Sequence, residues 1–173
     1  MLHLRKTYTM PNTPFPPMLS QGPTIENSVH YIAHTFSFLS TGKDTAGAFS
    51  LLHCYFRKGF TAPPHYHKRE DESFYILEGE IDFYIGNQKV KAVADEFIVL
   101  PRNIPHHFEL ITETAKVLLL ITPAGFEIFF REFGRPAETL DLPPVPVADP
   151  RMEMFTMMHD RMVELGNVFM PDI

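Results

Sequence analysis

A chain of 173 residues with 45% hydrophobic and 21% charged residues has the size and balance of one ordinary globular domain. Its net charge of −6 argues against a nucleic-acid surface, and no apolar run reaches the roughly 18 residues of a membrane span. A single cysteine, Cys54, excludes an intrachain disulfide; with no apolar stretch after Arg5 and Lys6 to act as a leader, a cytoplasmic location is the expectation.

Residues 1–24 carry Pro11, Pro14, Pro16, Pro17 and Pro23 and read as an extended arm rather than a core element. From residue 25 the chain reads as short strands. Val29–Leu39 mixes apolar and polar positions, and Gly42-Lys43-Asp44 is a turn. Phe49–Phe56 alternates, with Phe49, Leu51, His53 and Tyr55 on one face and Ser50, Leu52, Cys54 and Phe56 on the other. Gly59 and Pro63-Pro64 break pairing before a strand that carries His65 and His67. Further strands fall at 73–77, 80–85, 88–94, 97–100, 106–111 and 116–122, and Gly86-Asn87 is a two-residue hairpin signal. Short strands at this spacing predict an all-β sandwich or barrel. With 16 phenylalanines and no tryptophan, its core would be built on phenyl rings.

Two helices follow. Thr122 as N-cap, Pro123 at the first position and Gly134 at the end bound the first. Phe126, Phe129, Phe130 and Phe133 recur at helical spacing, a stripe that either docks on the core or covers a ligand cavity. A Pro-rich linker over 135–149 leads to the second helix, with Asp149 as N-cap, Pro150 next, and Gly166 past its end. Met152, Phe155, Met158 and Met162 form its apolar stripe. Val168-Phe169-Met170-Pro171 is an apolar tail that periodicity does not assign. The chain thus divides into an arm (1–24), a barrel with a flanking helix (25–134), and a linker plus helix (135–173) that packs on the barrel or on a partner. Arm, tail and Met-rich helix offer more apolar surface than a lone barrel needs, so a homodimer is expected.

Side chains alternate along a strand, so His65 and His67 share a face. A charged turn follows, and Glu72 opens the apolar run that returns beside them. His106, after Pro101, offers a third imidazole. This donor set suits one divalent transition metal, iron or manganese first, with nickel, cobalt or zinc compatible. Three imidazoles and one carboxylate leave an octahedral ion two open positions, for a small-molecule substrate and for dioxygen or water. Phe74, Ile76, Phe108 and Leu110 alternate inward and would line an apolar pocket for a small aromatic or enolic compound. His53 joins that pocket if its strand face turns inward; both faces are equally apolar, so periodicity leaves the choice open. His107 points opposite to His106, outside the barrel or behind the ligands. His3, His30, His34 and His159 read as surface or structural histidines, and Cys54 as an inert thiol. No nucleophilic triad, phosphate loop or basic aromatic patch is present in the sequence.

Gly59, five residues, His65-x-His67, four residues, Glu72, six residues, Gly79: this run resembles the first motif of the cupin family at every named position. Pro101-x-Asn103-x-x-His106 resembles the second motif. It departs at Asp95 (or a neighbour, with a one-residue shift) and at Asn103, where the family has glycine, and at Leu110, where it has asparagine. Asn103 tolerates the same left-handed backbone as glycine. A three-residue variant of the first spacing would select Asp71; the strand that starts straight after Glu72 favours Glu72. The similarity covers about residues 45–122, and Thr122-Pro123-Ala124-Gly125-Phe126 is similar to the continuation in small single-domain cupins resembling quercetin dioxygenase. The resemblance implies a double-stranded β-helix, or jelly roll, with a metal inside on His65, His67, Glu72 and His106. It also implies a flavonol-type dioxygenase in which Glu72 acts as a base when it leaves the metal. An isomerase or lyase of this family would need the same ligands without dioxygen, and a non-catalytic small-ligand binder would show no turnover.

Overall fold

Period-2 burial drives this chain into two facing antiparallel sheets. The computed structural model describes residues 21–145 and 152–169, with side chains from residue 156 onward in the second stretch. The strands are β1 (Ser28–Tyr31), β2 (His34–Ser40), β3 (Ser50–Arg57), β4 (His65–His67), β5 (Asp71–Glu78) and β6 (Glu80–Ile85). There follow β7 (Gln88–Val93), β8 (Phe97–Leu100), β9 (His106–Leu110), β10 (Thr114–Thr122), α1 (Glu127–Phe133), β11 (Arg135–Pro136), α2 (Met152–Glu164) and β12 (Asn167–Phe169). One sheet runs β11-β1-β2-β3-β10-β5-β8 and the other β12-β4-β9-β6-β7. The architecture is the jelly-roll barrel expected. No helix among the described residues is long and apolar enough to cross a membrane.

The best-paired ladder shows why the sheets close. On β3 the buried apolar residues are Leu52, Cys54 and Phe56, and across the ladder they meet Leu119, Val117 and Ala115 of β10. Both strands alternate strictly, so each gives the barrel one apolar face. Complete burial pushes the Cys54 thiol well above its ordinary pKa, which fits the inert role expected of it. Between the sheets Phe74, Phe83 and Phe108 form a three-ring cluster with centroids 5.2, 5.5 and 5.7 Å apart. Such aromatic pairs add about 0.5–1.5 kcal/mol each beyond the area they bury.

Three segments differ from the sequence expectation. The stretch 29–39 is two strands, because Ile32 turns the chain with φ of 55° and lets Tyr31 pair with His34. The first helix begins at Glu127, not at Pro123. Gly125 has φ of 147°, outside the helical region, and the Ala124 N–H donates to the Gly47 carbonyl at 3.0 Å. The Glu127 carboxylate then accepts from the Gly125 and Gly42 N–H groups at 2.6 and 2.9 Å, which staples residues 123–126 to the β2–β3 loop. The helix stops at Gly134 as expected, and Phe126, Phe129 and Phe130 are buried. Third, the start of the unassigned tail is a strand, in which Asn167, Val168 and Phe169 pair with His67, Tyr66 and His65, while Met170 and Pro171 lie outside the described residues. In α2, Met158 is buried and Met162 packs against the core. The arm up to residue 20, Asp149, Pro150 and the side chains of Met152 and Phe155 lie outside the described residues.

Gly79 joins β5 to β6 with φ of 92°, and a Cβ there would lie 2.7 Å from the Thr114 carbonyl oxygen and 2.8 Å from Thr112 Oγ1. Gly79→Ala should cost at least about 1–3 kcal/mol through backbone strain, with the clash on top. Chemical denaturation checks this; an unchanged midpoint would remove Gly79 as a required turn glycine.

Candidate metal centre

The short strand β4 turns both its histidines inward and Tyr66 outward. Antiparallel β9 sets His106 directly opposite His65. The three imidazoles therefore stand on neighbouring strands of one sheet, with ring centroids 4.8, 5.0 and 5.5 Å apart. Glu72 comes from β5 in the facing sheet. Its Oε2 lies 3.6 Å from His67 Nε2 and 3.8 Å from His106 Nε2. One donor atom from each of His65, His67, Glu72 and His106 falls within 4.8 Å of all the others, and all four residues are buried.

Hydrogen bonds fix how these rings present themselves. His65 Nδ1 lies 2.9 Å from the Pro63 carbonyl oxygen and His106 Nδ1 2.9 Å from that of Ile104. A carbonyl only accepts, so each Nδ1 carries the proton and the neutral ring offers a bare Nε2. His106 Nε2 and both nitrogens of His67 are buried with no hydrogen-bond partner among the described residues. Buried polar atoms are rarely left so. A divalent ion between the four residues would satisfy the donor set, and three imidazoles with one carboxylate fit such an ion.

The charges agree. Burial opposes ionisation of Glu72, but His67, His106 and His65 outweigh it and hold its pKa at about 2. Burial brings His65 down to about 4 and lowers His106. For His67 burial opposes the proton, yet Glu72 beside it wins and raises the pKa. Glu72 is thus a permanent carboxylate at neutral pH, and a weak base for as long as it stays among the imidazoles.

The neighbouring acids separate cleanly. Asp71 accepts from the Arg102 side chain at 2.7 and 3.1 Å and from its backbone N–H at 2.7 Å, away from the cluster. Glu70 is buried with Oε2 unpartnered, and burial raises its pKa. His107 stacks on Tyr84 at 4.4 Å on the outer face of β9, as alternation requires.

A cavity of about 530 Å³ opens beside His65 and Glu72. Its walls are phenyl rings, chiefly Phe36, Phe56, Phe74, Phe108, Phe126 and Phe130. Phe74 and Phe108 are therefore where the sequence places them. Ile76 and Leu110 are buried in the core without lining the cavity. His53 also fails to line it: Leu52, Cys54 and Phe56 take the inner face of β3, and His53 sits half-buried on the outer one. Phe126 and Phe130 serve as core and cavity wall at once. The sequence reading missed Tyr31, Phe169 and the cavity-facing side of α2, and it took His34 as structural only. His34 is structural as well, since its Nδ1 accepts from the Arg57 N–H at 3.1 Å and its Nε2 donates to the Phe60 carbonyl at 3.0 Å. Its period-2 relation to Phe36 is the signal that could have placed it on the inner face.

Known proteins agree with this fold. The family profile of the cupin domain matches residues 52–122. Quercetin 2,3-dioxygenase of Bacillus subtilis is 32% identical over 106 residues, covering 61% of this chain and 32% of that protein. Quercetin 2,3-dioxygenase of Aspergillus japonicus is 28% identical over 125 residues, covering 64% of this chain and 34% of that protein. The chain therefore spans about a third of the length of these curated relatives. Among solved structures, Streptomyces PAC13 with uridine superposes with a TM-score of 0.51 at 18% identity, covering 73% of this chain and 99% of that one, which is a likeness of fold.

In the metal-free protein His34 and His65 stay neutral down to about pH 4, because burial disfavours their charged form. An unfolded histidine takes up its proton near pH 6.5. Between these values the unfolded chain binds more protons, so stability must fall as pH drops from about 6.5 to 4. His106 and His53, both lowered by burial, act with the same sign. His67 acts oppositely: its contribution is full below about 6.5 and is lost as pH rises through its raised value. The melting temperature of metal-free protein should therefore fall from pH 6.5 to 4, a window in which the His67 contribution stays nearly constant, and a rise there would show that His34 and His65 are not held neutral by the fold.

Proposed function

We propose, for a barrel whose residues 52–122 match the cupin-domain profile, a metal-dependent dioxygenase acting on a small, flat aromatic or enolic compound of flavonol type. The observation that carries this reading is the buried set His65, His67, Glu72 and His106, with unpartnered imidazole nitrogens, which meets an aromatic cavity of about 530 Å³ through His65 and Glu72. The likeness to two quercetin dioxygenases supports the substrate class.

A divalent metal held there, iron or manganese first, supplies a Lewis acid and a redox partner for dioxygen. The chain's own residues do the rest. The Pro63 and Ile104 carbonyls hold the His65 and His106 rings with Nε2 forward. Glu72 brings the one permanent negative charge, and its carboxylate is the base we assign to a substrate hydroxyl proton once it swings clear of the imidazoles that keep its pKa low. Phe74, Phe108 and Phe126 exclude water and hold a flat ligand between ring faces.

We further propose a homodimer. In its support, β8 ends the larger sheet and leaves Phe97 and Val99 exposed by 56% and 46%.

Purified protein should carry about one divalent metal per chain by elemental analysis, and His106→Ala should lose it while keeping a folded far-UV spectrum. Dioxygen uptake with a flavonol should accompany the metal and vanish in the variant. Absence of metal after reconstitution with Fe(II), Mn(II) and Ni(II) would end the metal reading. Turnover that survives strict anaerobiosis would replace the dioxygenase by an isomerase or lyase, and a ligand retained without turnover would leave a binding module. Light scattering should give twice the chain mass at micromolar concentration; a single-chain mass removes the dimer.

A further inference from the structure

Besides the imidazole nitrogens that face Glu72, three polar atoms in and next to β4 are buried with no hydrogen-bond partner among the described residues: His67 Nδ1, Asn167 Oδ1 and Glu70 Oε2. His67 is the exception among the clustered imidazoles. His65 and His106 each hold Nδ1 at 2.9 Å from the carbonyl oxygen of Pro63 or Ile104, which fixes their tautomer. His67 has no such carbonyl. Its Nε2 faces Glu72 at 3.6 Å, so its Nδ1 stands on the other edge of the ring. A neutral ring with no acceptor at that edge can take either tautomer, and only the one protonated at Nδ1 presents a bare Nε2 to the cluster.

The β4–β12 ladder brings an acceptor to that ring. Asn167 pairs with His67, and Phe169 with His65. Directly opposed residues of an antiparallel pair project from one face of the sheet, with Cβ atoms about 4.5–5.5 Å apart. The Phe169 ring, 6.0 Å from that of His65, shows that this is the inner face. Asn167 shares it with His67 by alternation, and is 1% exposed. Asparagine Oδ1 and histidine Nδ1 are each bonded to Cγ, so both atoms stand at one height above the sheet. The amide is already oriented: its Nδ2 donates to the Met162 carbonyl at 3.1 Å, and Oδ1 is left to accept. Glu70 is the rival acceptor. It is as buried, and its charge acts on His67, but it sits in the turn after β4 with Oε1 3.9 Å from Arg69 Nε. No strand register sets it against the His67 ring, and a neutral carbonyl suffices for the other two imidazoles.

We propose that Asn167 is a positioning residue of the metal centre: its Oδ1 accepts the His67 Nδ1 proton, directly or through one water, and so holds Nε2 bare and turned to the cluster. Asn167 lies outside the span 52–122 that matches the cupin domain, so a C-terminal strand completes the control of tautomer that backbone carbonyls give the other two imidazoles. The proposal rests on the metal reading for the ion, not on any reaction.

The test uses the full chain, metal-free and with Zn(II), which is diamagnetic and redox-inert. Long-range proton–nitrogen NMR spectra of the metal-free protein at alkaline pH report the tautomer of each neutral histidine, and competition with a chelator gives zinc affinity. Wild type should show His67 protonated at Nδ1; a mixed or Nε2-protonated ring overturns the proposal. Asn167→Leu should lose that preference with His65 and His106 unchanged, and should bind zinc about tenfold more weakly, as when a residue that orients a metal ligand is removed. Asn167→Asp keeps an acceptor and loses the donor to Met162, so it should keep the tautomer, bind zinc no more weakly than wild type and melt lower. Glu70→Met should change neither the tautomer nor the affinity. If Leu and Asp weaken zinc binding alike with the tautomer unchanged, Asn167 serves the fold only and the proposal fails. A tautomer change in Glu70→Met with none in Asn167→Leu assigns the proton to Glu70 and overturns it equally. Failure of wild type to bind zinc would count against the metal reading alone, and the metal-free spectra would still decide whether Asn167 holds the ring.

Discussion

The carboxylate of Glu72 reaches across from one sheet to imidazoles standing on the other, at 3.6 Å from His67 and 3.8 Å from His106, where almost no water can screen it. A buried carboxylate is costly unless paired, and a buried imidazole with no hydrogen bond is costly too. Folding alone would be better served by apolar side chains at these four positions. The barrel nevertheless holds them in place, and much of the nearby backbone is arranged around them. Asn103, with φ of 62°, donates its N–H to the His67 carbonyl at 2.8 Å, so the turn of the second motif is tied to the strand of the first. Lys68 donates in the same way to the Gly166 carbonyl at 2.8 Å, a second tie at the same end of β4.

That second tie involves the C-terminal segment, and it changes how the cavity should be understood. The four clustered residues all lie within the cupin-domain match, 52–122. Several of the walls do not. Tyr31, His34 and Phe36 come from β1 and β2, Phe126 and Phe130 from the α1 region, and Met158, Met162 and Phe169 from α2 and β12. Pairing of β12 with β4 brings Phe169 beside His65, and His159 stacks on Phe169 at 5.1 Å. Much of the cavity wall is thus built by segments that flank the motif rather than by the motif itself.

How much of this was legible in the sequence follows the range of the forces involved. His65, His67 and Glu72 could be placed because strand alternation and a short turn are local. Most strand bounds came within one or two residues for the same reason. His53 could not be placed, since β3 is apolar on both faces; only the ladder to β10 decides that Leu52, Cys54 and Phe56 face the core. Ile32 turns the chain without a Gly or Pro to announce it. Thr122-Pro123 has the chemistry of a helix start, but Glu127 caps N–H groups from two separate segments and delays the helix. The tail at 167–169 becomes a strand only because β4 lies about a hundred residues earlier with an open edge.

Formal charge links the cluster to its ligand. Three neutral imidazoles and one carboxylate offset one of the two charges of a divalent ion, so a loaded cluster would keep one positive charge against walls of phenyl rings. In such a low-dielectric setting an uncompensated charge is costly, and a ligand oxygen that binds as a phenolate or enolate compensates it. Among the described residues no lysine or arginine lines the cavity. The anionic end of a ligand would then find its only strong attraction at the cluster, and its neutral rings would be left to the phenylalanines. This division of labour would orient the proposed flat, weakly acidic ligand without a salt bridge, its acidic oxygen toward the His/Glu cluster and its rings against the phenylalanines.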